Sequence, residues 1–406
     1  MLIPSVYEYD KRTYKELHLT EDIEGLKSFL EQSSFKNALN FGYDSLYTNH
    51  FVGSIKYKNW QLDIYPKYLA KQGGNGTQQL IRMLAYTRKL DIKISTADSG
   101  MAKGSFLEII IWYYASSLLN GLRRHIPHHY RHQEENLHTV RGKIDFINDI
   151  RYNLANKAKI FCKYDEFITD NLLNRTLHFV SVLLYRRTIN EETKQLFRSI
   201  FAFYEDLESK AVTFNEARTI RLSKLQRDAF DTPLKLAQLF LEHATFNLYN
   251  NTFKNVAILF DMNKLFEEFI FEKLREELGN SVSSQNGQRI ITGFSPEEKG
   301  IDVHKYIRTD ILIDTGGKES KIIIDTKYKN ANKIASSDIY QMLAYGKIHN
   351  TKNLCLIYPK VDKEYSCNAC FSPEIDAKLA VIAIDLSQEL KNINVSEQIA
   401  KKFVLY

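Results

Sequence analysis

Arg308-Thr-Asp-Ile-Leu-Ile-Asp and Lys321-Ile-Ile-Ile-Asp-Thr-Lys-Tyr are two apolar segments separated by a short, glycine-containing turn. Side chains alternate between the faces of a β-strand, so Asp325 and Lys327 point the same way. A hairpin would bring Asp310 onto that face too. Two carboxylates offer the hard oxygen ligands that Mg²⁺ or Mn²⁺ prefers, and a neighbouring lysine orients or deprotonates the attacking water. The pattern predicts metal-dependent hydrolysis of phosphodiesters, although an acidic residue at a strand end is often only solvated.

An upstream helix offers a further carboxylate. Asp261 is a suitable N-cap and Gly279 a suitable stop, so the intervening residues are predicted to form an amphipathic helix. At about 100° per residue, Glu267 falls inside the apolar stripe and Glu268 outside it. A carboxylate on a buried face is costly unless it is paired or binds a metal. Glu267 is therefore a candidate ligand, unless it reaches water from the edge of the stripe, and Glu268 is expected to be solvated.

A downstream helix carries two polar side chains on one face. Gln341 and Tyr345 are four positions apart in Asp338-Ile-Tyr-Gln-Met-Leu-Ala-Tyr-Gly. Both can hydrogen-bond to phosphate oxygens or to the catalytic lysine. The order of helix with Glu, strand with Asp, strand with D-x-K and helix with Q-x-x-x-Y is a much rarer pattern than any single part of it.

These segments resemble the PD-(D/E)xK nuclease superfamily, in particular its RecB-like branch and, most closely, the McrC family of McrBC modification-dependent restriction systems. Thr309 stands where the superfamily has its proline, a position that is loosely kept. The resemblance extends over nearly the whole chain and also rests on Phe51-Val-Gly, Leu62-Asp-Ile-Tyr-Pro-Lys, Asp261-Met-Asn-Lys-Leu-Phe-Glu, Val140-Arg-Gly-Lys-Ile-Asp-Phe and Cys162-Lys-Tyr-Asp-Glu-Phe-Ile-Thr-Asp-Asn-Leu-Leu-Asn-Arg.

The resemblance implies a set of roles for the C-terminal residues. One or two Mg²⁺ (or Mn²⁺) ions would be held by Glu267, Asp310 and Asp325 with the backbone carbonyl of Thr326. Lys327 would position the water, and the pair on the downstream helix, Gln341 and Tyr345, would hold the substrate or Lys327.

The resemblance also implies a partner. McrC proteins dock through their N-terminal domain on a hexameric AAA+ GTPase, McrB, and stimulate GTP hydrolysis, while McrB reads the modified cytosine. The chain has no G-x-x-x-x-G-K-[ST] motif, so it is not itself the P-loop motor. A double-strand break made with one active site per chain requires at least two copies.

Composition narrows the class of protein. With 44% hydrophobic residues the chain can form two or three domains. It has neither a signal-peptide core at Met1 nor an apolar run long enough to span a membrane, so a cytoplasmic location without membrane contact is expected. Cys367 and Cys370 form a single CxxC that would hold zinc with Cys355 only if another ligand joined them. Reduced thiols are the simpler expectation.

Any DNA-binding surface must be a local basic patch, because the net charge of the chain is only +6. Arg and Lys neutralise DNA phosphates without reading sequence. Two basic stretches stand out. The first, residues 121–143, includes a histidine-rich segment, and the second, residues 218–227, has basic residues at helix-neighbour spacing. Either is also compatible with a solvated surface. The candidate DNA-binding residues are Arg123, Arg124, Arg131, Arg141, Lys143, Arg221 and Lys224.

The pattern along the chain predicts a multidomain α+β protein. A β-rich, partner-docking domain is expected at 1–95 and a mainly helical, DNA-binding or linking domain at 96–250. A C-terminal α/β PD-(D/E)xK core with a mixed sheet is expected at 251–406. Within the middle domain the last helix is expected to run from Pro233 to Tyr249.

Three functions remain open at this point. The first is a McrC-type endonuclease subunit, active on DNA, including cytosine-modified DNA, when its GTPase partner translocates. The second is an autonomous RecB-like repair nuclease that cuts without nucleotide. The third is a non-catalytic adaptor, which the presence of Asp310, Asp325 and Lys327 disfavours.

Overall fold

The structure is a computed structural model that describes residues 3–19, 22–67, 76–87, 89, 105–155, 157–247, 252–289, 306–316, 321–330, 334–360, 367–370, 375–386, 388 and 392–403. The chain divides into two compact units. One contains Met1–Ile55, Trp60–Lys103 and Leu259–Tyr406, and the other contains Lys56–Asn59 and Gly104–Ile258. The N-terminal and C-terminal segments thus belong to the same unit. The three-part division near residues 95 and 250 stays a prediction.

The described part of the N-terminal segment forms short strands and two helices. Its elements are β1 Ser5–Tyr7, β2 Lys11–Thr13, α1 Ile23–Glu31, β3 Leu39–Phe41, β4 Ser45–Thr48, β5 Phe51–Tyr57, β6 Trp60–Tyr65 and α2 Gly76–Tyr86. β1 pairs with β6 in parallel, and β4 lies between β2 and β3 in a small antiparallel sheet. The apolar residues of β5 and β6, among them Val52, Ile55 and Leu62, are buried.

The middle segment of the chain, which makes up most of the second unit, is mainly helical. Its elements are α3 Phe106–Arg124, β7 His129–Leu137, β8 Lys143–Ile144, α4 Phe146–Asn153, β9 Ile160–Ile168, α5 Leu172–Tyr185, α6 Glu191–Ala202, α7 Phe214–Ala217, α8 Lys224–His243, β10 Ala244–Asn247 and β11 Thr252–Asp261. α3 packs against α6 and α8 around Tyr114, which is completely buried. β7 and β8 both pair with β9 in antiparallel fashion.

The C-terminal segment is built on a mixed sheet. Its elements are α9 Met262–Leu278, a 3₁₀ turn Gly279–Ser281, β12 Val282–Arg289, β13 Tyr306–Asp314, β14 Lys321–Thr326, α10 Ser336–His349, β15 Asn353–Pro359, β16 Cys367–Cys370, β17 Lys378–Ile384 and α11 Val395–Ala400. The sheet order is β12-β13-β14-β15-β17-β16. β14, β15 and β17 run in parallel, and the other neighbouring pairs are antiparallel.

The central strand β14 contacts two helices. Ile322, Ile323 and Ile324 are completely buried, as expected of a strand covered on both faces. α9 and α10 both pack against β14. The sheet therefore places residues from two helices beside the end of one strand.

Most of the expected C-terminal elements are present with small boundary shifts. The two apolar segments form the antiparallel hairpin β13–β14, and the turn between them contains Gly316 at φ 89°. Asp261 caps α9 by accepting from the backbone N–H groups of Asn263 and Lys264, and Gly279 ends the helix at φ 63°. Only glycine adopts such a backbone conformation readily.

Strand β7 adds to the expected elements of the middle of the chain, and one expected helix has different bounds. Part of the histidine-rich basic stretch lies in strand β7, whose nine residues from His129 to Leu137 all pair with β9. The helix expected to begin at Pro233 begins at Lys224 and ends at His243. Phe230, before the proline, is completely buried, so tertiary packing carries the helix through Pro233.

The fold is thus a mixed α/β architecture with several sheets. In the described part of the chain, no helix is long and apolar enough to cross a membrane.

Candidate active site

Asp310 and Asp325 lie together where the hairpin β13–β14 ends. The register pairs Ile311 with Ile324, so the two acidic residues come next in register. One oxygen of Asp310, Oδ2, accepts from the backbone N–H of Thr326 at 2.9 Å and from the Thr326 hydroxyl at 3.1 Å. These bonds hold the Asp310 carboxylate across the end of β14 and beside Asp325.

Asp325 is the most buried acidic group of the site, with only 1% of its surface exposed. Its Oδ2 lies 2.8 Å from Lys327 Nζ as an ion pair, while Oδ1 has no hydrogen-bond donor among the described residues. Burial, followed by the charge of Asp310, raises the pKa of Asp325 to about 7. A buried carboxylate next to a second carboxylate is a site where negative charge is under-compensated.

Lys327 is held by a chain of polar contacts. Its ammonium group donates to Gln341 Oε1 at 3.1 Å, and Gln341 Nε2 donates to the Tyr345 hydroxyl oxygen at 2.6 Å. Burial alone would lower the pKa of Lys327, but the charges of Asp325 and Asp310 raise it on balance. Lys327 is therefore a cation at neutral pH. The expected side-by-side placement of Gln341 and Tyr345 is present on α10.

Glu267 approaches the same site from helix α9. Its pKa is raised by burial and by the charge of Asp310, while a hydrogen bond from the Gln285 side chain opposes that shift. The expected contrast with its neighbour holds only in part. Glu268 does not stand alone in solvent, because its carboxylate lies 3.0 Å from Lys89 Nζ.

Asp310 and Asp325 lie side by side, whereas Glu267 does not form a three-residue cluster with them. Nowhere in the described part of the chain do three His, Cys, Asp or Glu side chains lie close enough to hold a metal ion by themselves. The donor set nevertheless fits a divalent cation. Asp325 presents a buried oxygen without a hydrogen-bond donor, Asp310 lies next to it, and hard oxygen donors are what Mg²⁺ and Mn²⁺ require.

Asp338 is an acidic neighbour that the sequence pattern did not single out. It lies in the first turn of α10, and its Oδ2 accepts from Lys329 Nζ at 2.6 Å and from the Tyr358 hydroxyl at 3.3 Å. Its charge further raises the pKa of Asp325 and of Lys327. The available signal was its position three residues before Gln341, which places both side chains on one face of the helix.

A family model for the McrBC 5-methylcytosine restriction system component matches residues 46–359. The chain belongs to this family.

Relatives of the McrBC family support the same assignment. The type IV methyl-directed restriction enzyme EcoKMcrBC of Escherichia coli (strain K12) is 22% identical over 280 residues, which is 64% of this chain and 78% of that protein. The predicted resemblance to McrC is confirmed at the level of the family.

Two solved structures share the McrC-type fold. One is described as a refined half-complex from a tetradecameric assembly of Thermococcus gammatolerans McrB AAA+ hexamers with bound McrC. A chain in it matches with a TM-score of 0.76 and 19% identity over 95% of both chains. The other is the cryo-EM structure of the Thermococcus gammatolerans McrBC complex, which matches with a TM-score of 0.56 and 21% identity over 69% of this chain and 89% of that chain.

The predicted DNA-binding residues of this McrBC family member lie in the second unit, and all of them are exposed. Arg141 lies 3.2 Å from Glu166 and stacks over the ring of Tyr164 at 4.2 Å. Arg221 donates to the backbone carbonyl oxygens of Arg218 and Ile220. These two guanidinium groups have structural contacts of their own, and DNA binding by the whole set stays a prediction.

Of the three cysteines considered as zinc ligands, only Cys355 has a side chain that the structure describes. Cys355 is completely buried in β15, and burial raises the pKa of its thiol. The side chains of Cys367 and Cys370 lie outside what the structure describes.

Proposed function

We propose that this chain is the Mg²⁺-dependent endonuclease subunit of a McrBC-type restriction system and that its C-terminal segment is a PD-(D/E)xK nuclease core. The observation that carries the proposal is the buried, donor-poor oxygen of Asp325 beside Asp310 and Lys327. Keeping two carboxylates together in a buried site is costly unless a cation binds between them.

Each residue has a defined task in this proposal. Asp310 and Asp325, with the Thr326 carbonyl, would hold the cation, which would be Mg²⁺ or, in its place, Mn²⁺. The bound ion lowers the pKa of a water molecule and neutralises charge on the phosphate. Glu267 would complete the ligand set through a water molecule or after a side-chain rotation, since it is not gathered with the other two at ligand distance.

Lys327 is better suited to positioning than to proton abstraction. Its pKa is raised, so it keeps its proton at neutral pH and donates hydrogen bonds to the attacking water or to a phosphate oxygen. Gln341 and Tyr345 hold its ammonium group in place through the hydrogen bonds described above. The same two side chains can turn towards a phosphate oxygen when substrate enters.

The substrate and the partner are inferred from the family. The family description names a 5-methylcytosine restriction system, which supports DNA with modified cytosine as substrate. The similar solved structure contains McrB AAA+ hexamers, and this chain has no P-loop motif, which supports a separate AAA+ GTPase as the nucleotide-hydrolysing partner. The chain would stimulate GTP hydrolysis by that partner.

Double-strand cleavage requires two active sites, and each copy of this chain offers one. At least two copies are therefore expected in the cleaving assembly. The description of the similar structure as half of a tetradecameric assembly supports this number.

The test is cleavage of methylated and unmethylated plasmid by the purified chain, with and without its AAA+ partner and GTP, in the presence of Mg²⁺. We expect cutting only when partner and nucleotide are present. Lys327→Ala should lower it by about 100-fold or more. The matched control is Lys347→Ala, which replaces an exposed lysine on α10. Cutting by the chain alone would instead favour an autonomous RecB-like repair nuclease, and no cutting in any condition would favour a non-catalytic adaptor.

A further inference from the structure

Asp338 is a buried carboxylate at the start of α10 that contacts the segment following β14. It lies in the first turn of the helix and is only 6% exposed. Its Oδ2 atom accepts a hydrogen bond from Lys329 Nζ at 2.6 Å and another from the Tyr358 hydroxyl at 3.3 Å. A carboxylate that is this deeply buried is costly unless it is paired and hydrogen-bonded, so these two contacts determine where it lies.

Lys329 stands two residues after Lys327, at the end of a short turn. The backbone N–H of Lys327 donates to the Ile357 carbonyl oxygen at 2.9 Å, so the pairing with β15 extends one residue past β14. The backbone N–H of Lys329 then donates to the Lys327 carbonyl oxygen at 2.9 Å, which turns the chain. The ion pair with Asp338 therefore ties the residue that closes this turn to α10.

Tyr358 connects the same carboxylate to the strand beside Lys327. One position beyond the last pair in the register of β14 and β15, Tyr358 lies at the level of Lys327. It is completely buried and shares a hydrophobic cluster with Met342 and Tyr345 of α10. Asp338 thus accepts hydrogen bonds from the turn that follows Lys327 and from the neighbouring strand.

Helix α10 contacts the segment after β14 at two points that are three residues apart. Gln341 accepts from Lys327 Nζ at 3.1 Å, and Asp338 accepts from Lys329 Nζ at 2.6 Å. A single contact would let the end of the strand rotate about it, whereas two contacts fix both the position and the direction of the Lys327 side chain. The Asp338 contact joins opposite charges, which makes it the stronger of the two.

We propose that Asp338 is a positioning residue for the nuclease site. By holding Lys329 and Tyr358 it fixes the turn after β14, and it thereby places the Lys327 ammonium group where it donates to the attacking water or to the phosphate. Asp338 acts through Lys327 and not by touching the substrate. The inference rests on the proposed function, in which Lys327 is that donor.

The test uses the full chain assembled with its AAA+ partner and GTP. Single-turnover cleavage of methylated DNA gives the rate constant and, from its dependence on the concentration of the assembly, the affinity for DNA. Lys329→Ala removes the ion pair and leaves Asp338 bonded to Tyr358, and Asp338→Ala removes both contacts. The matched control is Lys321→Ala, which removes a similarly exposed lysine that lies 3.7 Å from Asp314 at the other end of β14.

We expect Lys329→Ala to lower the cleavage rate constant by about 10- to 100-fold, because a small misplacement of a catalytic group has an effect of this size. Asp338→Ala should lower it at least as much. The affinity for DNA should stay the same in both variants, and Lys321→Ala should change neither quantity. When Lys327→Ala is already present, Lys329→Ala should cause little further loss, because the group that it positions is gone.

A wild-type rate constant in Lys329→Ala would overturn the inference, and this variant decides the matter if Asp338→Ala does not fold. A full further loss when Lys327→Ala is present would also overturn it, because the ion pair would then have a general structural role. Weaker DNA binding with an unchanged rate constant would make Lys329 a DNA contact instead. Retention of cleavage by Lys327→Ala would refute the proposed function itself, so the two failures are distinguishable.

Discussion

Replacing Asp325 by Asn should stabilise the metal-free protein at neutral and alkaline pH while abolishing cation binding. The pKa of Asp325 is raised from 3.8 to about 7, and one pKa unit corresponds to about 1.4 kcal/mol, so ionised Asp325 costs the fold about 4 kcal/mol above pH 7. Asn has nearly the same shape and no charge. Its loss of the ion pair with the partly exposed Lys327 offsets about 1 kcal/mol.

The sign of the pH dependence follows from the direction of the shift. A carboxyl group whose pKa is raised in the folded state favours folding most at low pH, where it is protonated in both states. That contribution is lost as the pH rises from about 4 to about 7. Between pH 5 and pH 8 the advantage of Asp325→Asn over the wild type should therefore grow by about 3 kcal/mol.

The assay is thermal and urea unfolding of both proteins from pH 5 to pH 8 in the presence of a chelator, and then with added Mg²⁺. An advantage of about 3 kcal/mol corresponds to a melting temperature that is roughly 5–10 °C higher. Mg²⁺ should stabilise the wild type but not the variant. The control is Asp314→Asn, which removes an exposed carboxylate from the other end of β13. A difference between Asp325→Asn and wild type that does not change with pH would refute the reasoning, as would equal stabilisation of both by Mg²⁺.

Three further predictions concern the active site and the basic surface. Lys327→Ala should lower the cleavage rate by about 100- to 1000-fold, because it removes the proposed hydrogen-bond donor at the reacting phosphate, and it should leave the assembly with the partner unchanged. Single-turnover cleavage measures the rate and gel filtration measures the assembly. A loss of assembly would contradict the role assigned to Lys327. Tyr345→Phe should lower kcat by about fivefold, because Gln341 loses a hydrogen-bond partner worth about 1 kcal/mol. This loss should largely disappear when Gln341→Leu is already present. Additive losses in the double variant would show that the two side chains act separately. Arg123→Ala combined with Arg124→Ala should weaken DNA binding equally for methylated and unmethylated sequences, and the slope of log affinity against log salt concentration should become shallower by about 0.9 for each DNA phosphate that is no longer neutralised. The control is Arg198→Ala, which removes an exposed arginine that pairs with Glu191. An unchanged salt slope in the double variant would exclude this surface.

The hairpin and the two helices of the candidate site could be predicted because local sequence determines them. Alternating faces place Asp325 and Lys327 together, and the cap at Asp261 with the stop at Gly279 defines α9 within one residue. The four-residue spacing of Gln341 and Tyr345 is sufficient to place them side by side on α10.

The properties that depend on tertiary packing could not be predicted in this way. The burial of Asp325 depends on α9 and α10 both covering β14, and the Asp310–Thr326 bonds depend on the register of the hairpin. The role of Asp338 also depends on its contact with Lys329 across a loop. None of these is a property of a single segment.

The middle of the chain was harder for a related reason. Segment β7 is rich in polar residues and has no apolar alternation, and it is a strand only because β9 pairs with it over its full length. The start of α8 was misplaced because the local preference of Pro233 for a helix N-terminus is outweighed by the burial of Phe230 and Phe240.

The central claim is that Asp310, Asp325 and Lys327 carry out divalent-cation-dependent hydrolysis of phosphodiester bonds. Single-turnover cleavage of methylated DNA by the assembly of this chain with its AAA+ partner and GTP is measured over a Mg²⁺ titration for the wild type and for Asp310→Asn. We predict saturable, Mg²⁺-dependent cleavage by the wild type and a loss of at least about 100-fold in the variant, with GTP hydrolysis by the partner preserved. Cleavage that persists in Asp310→Asn with an unchanged dependence on Mg²⁺ would contradict the account.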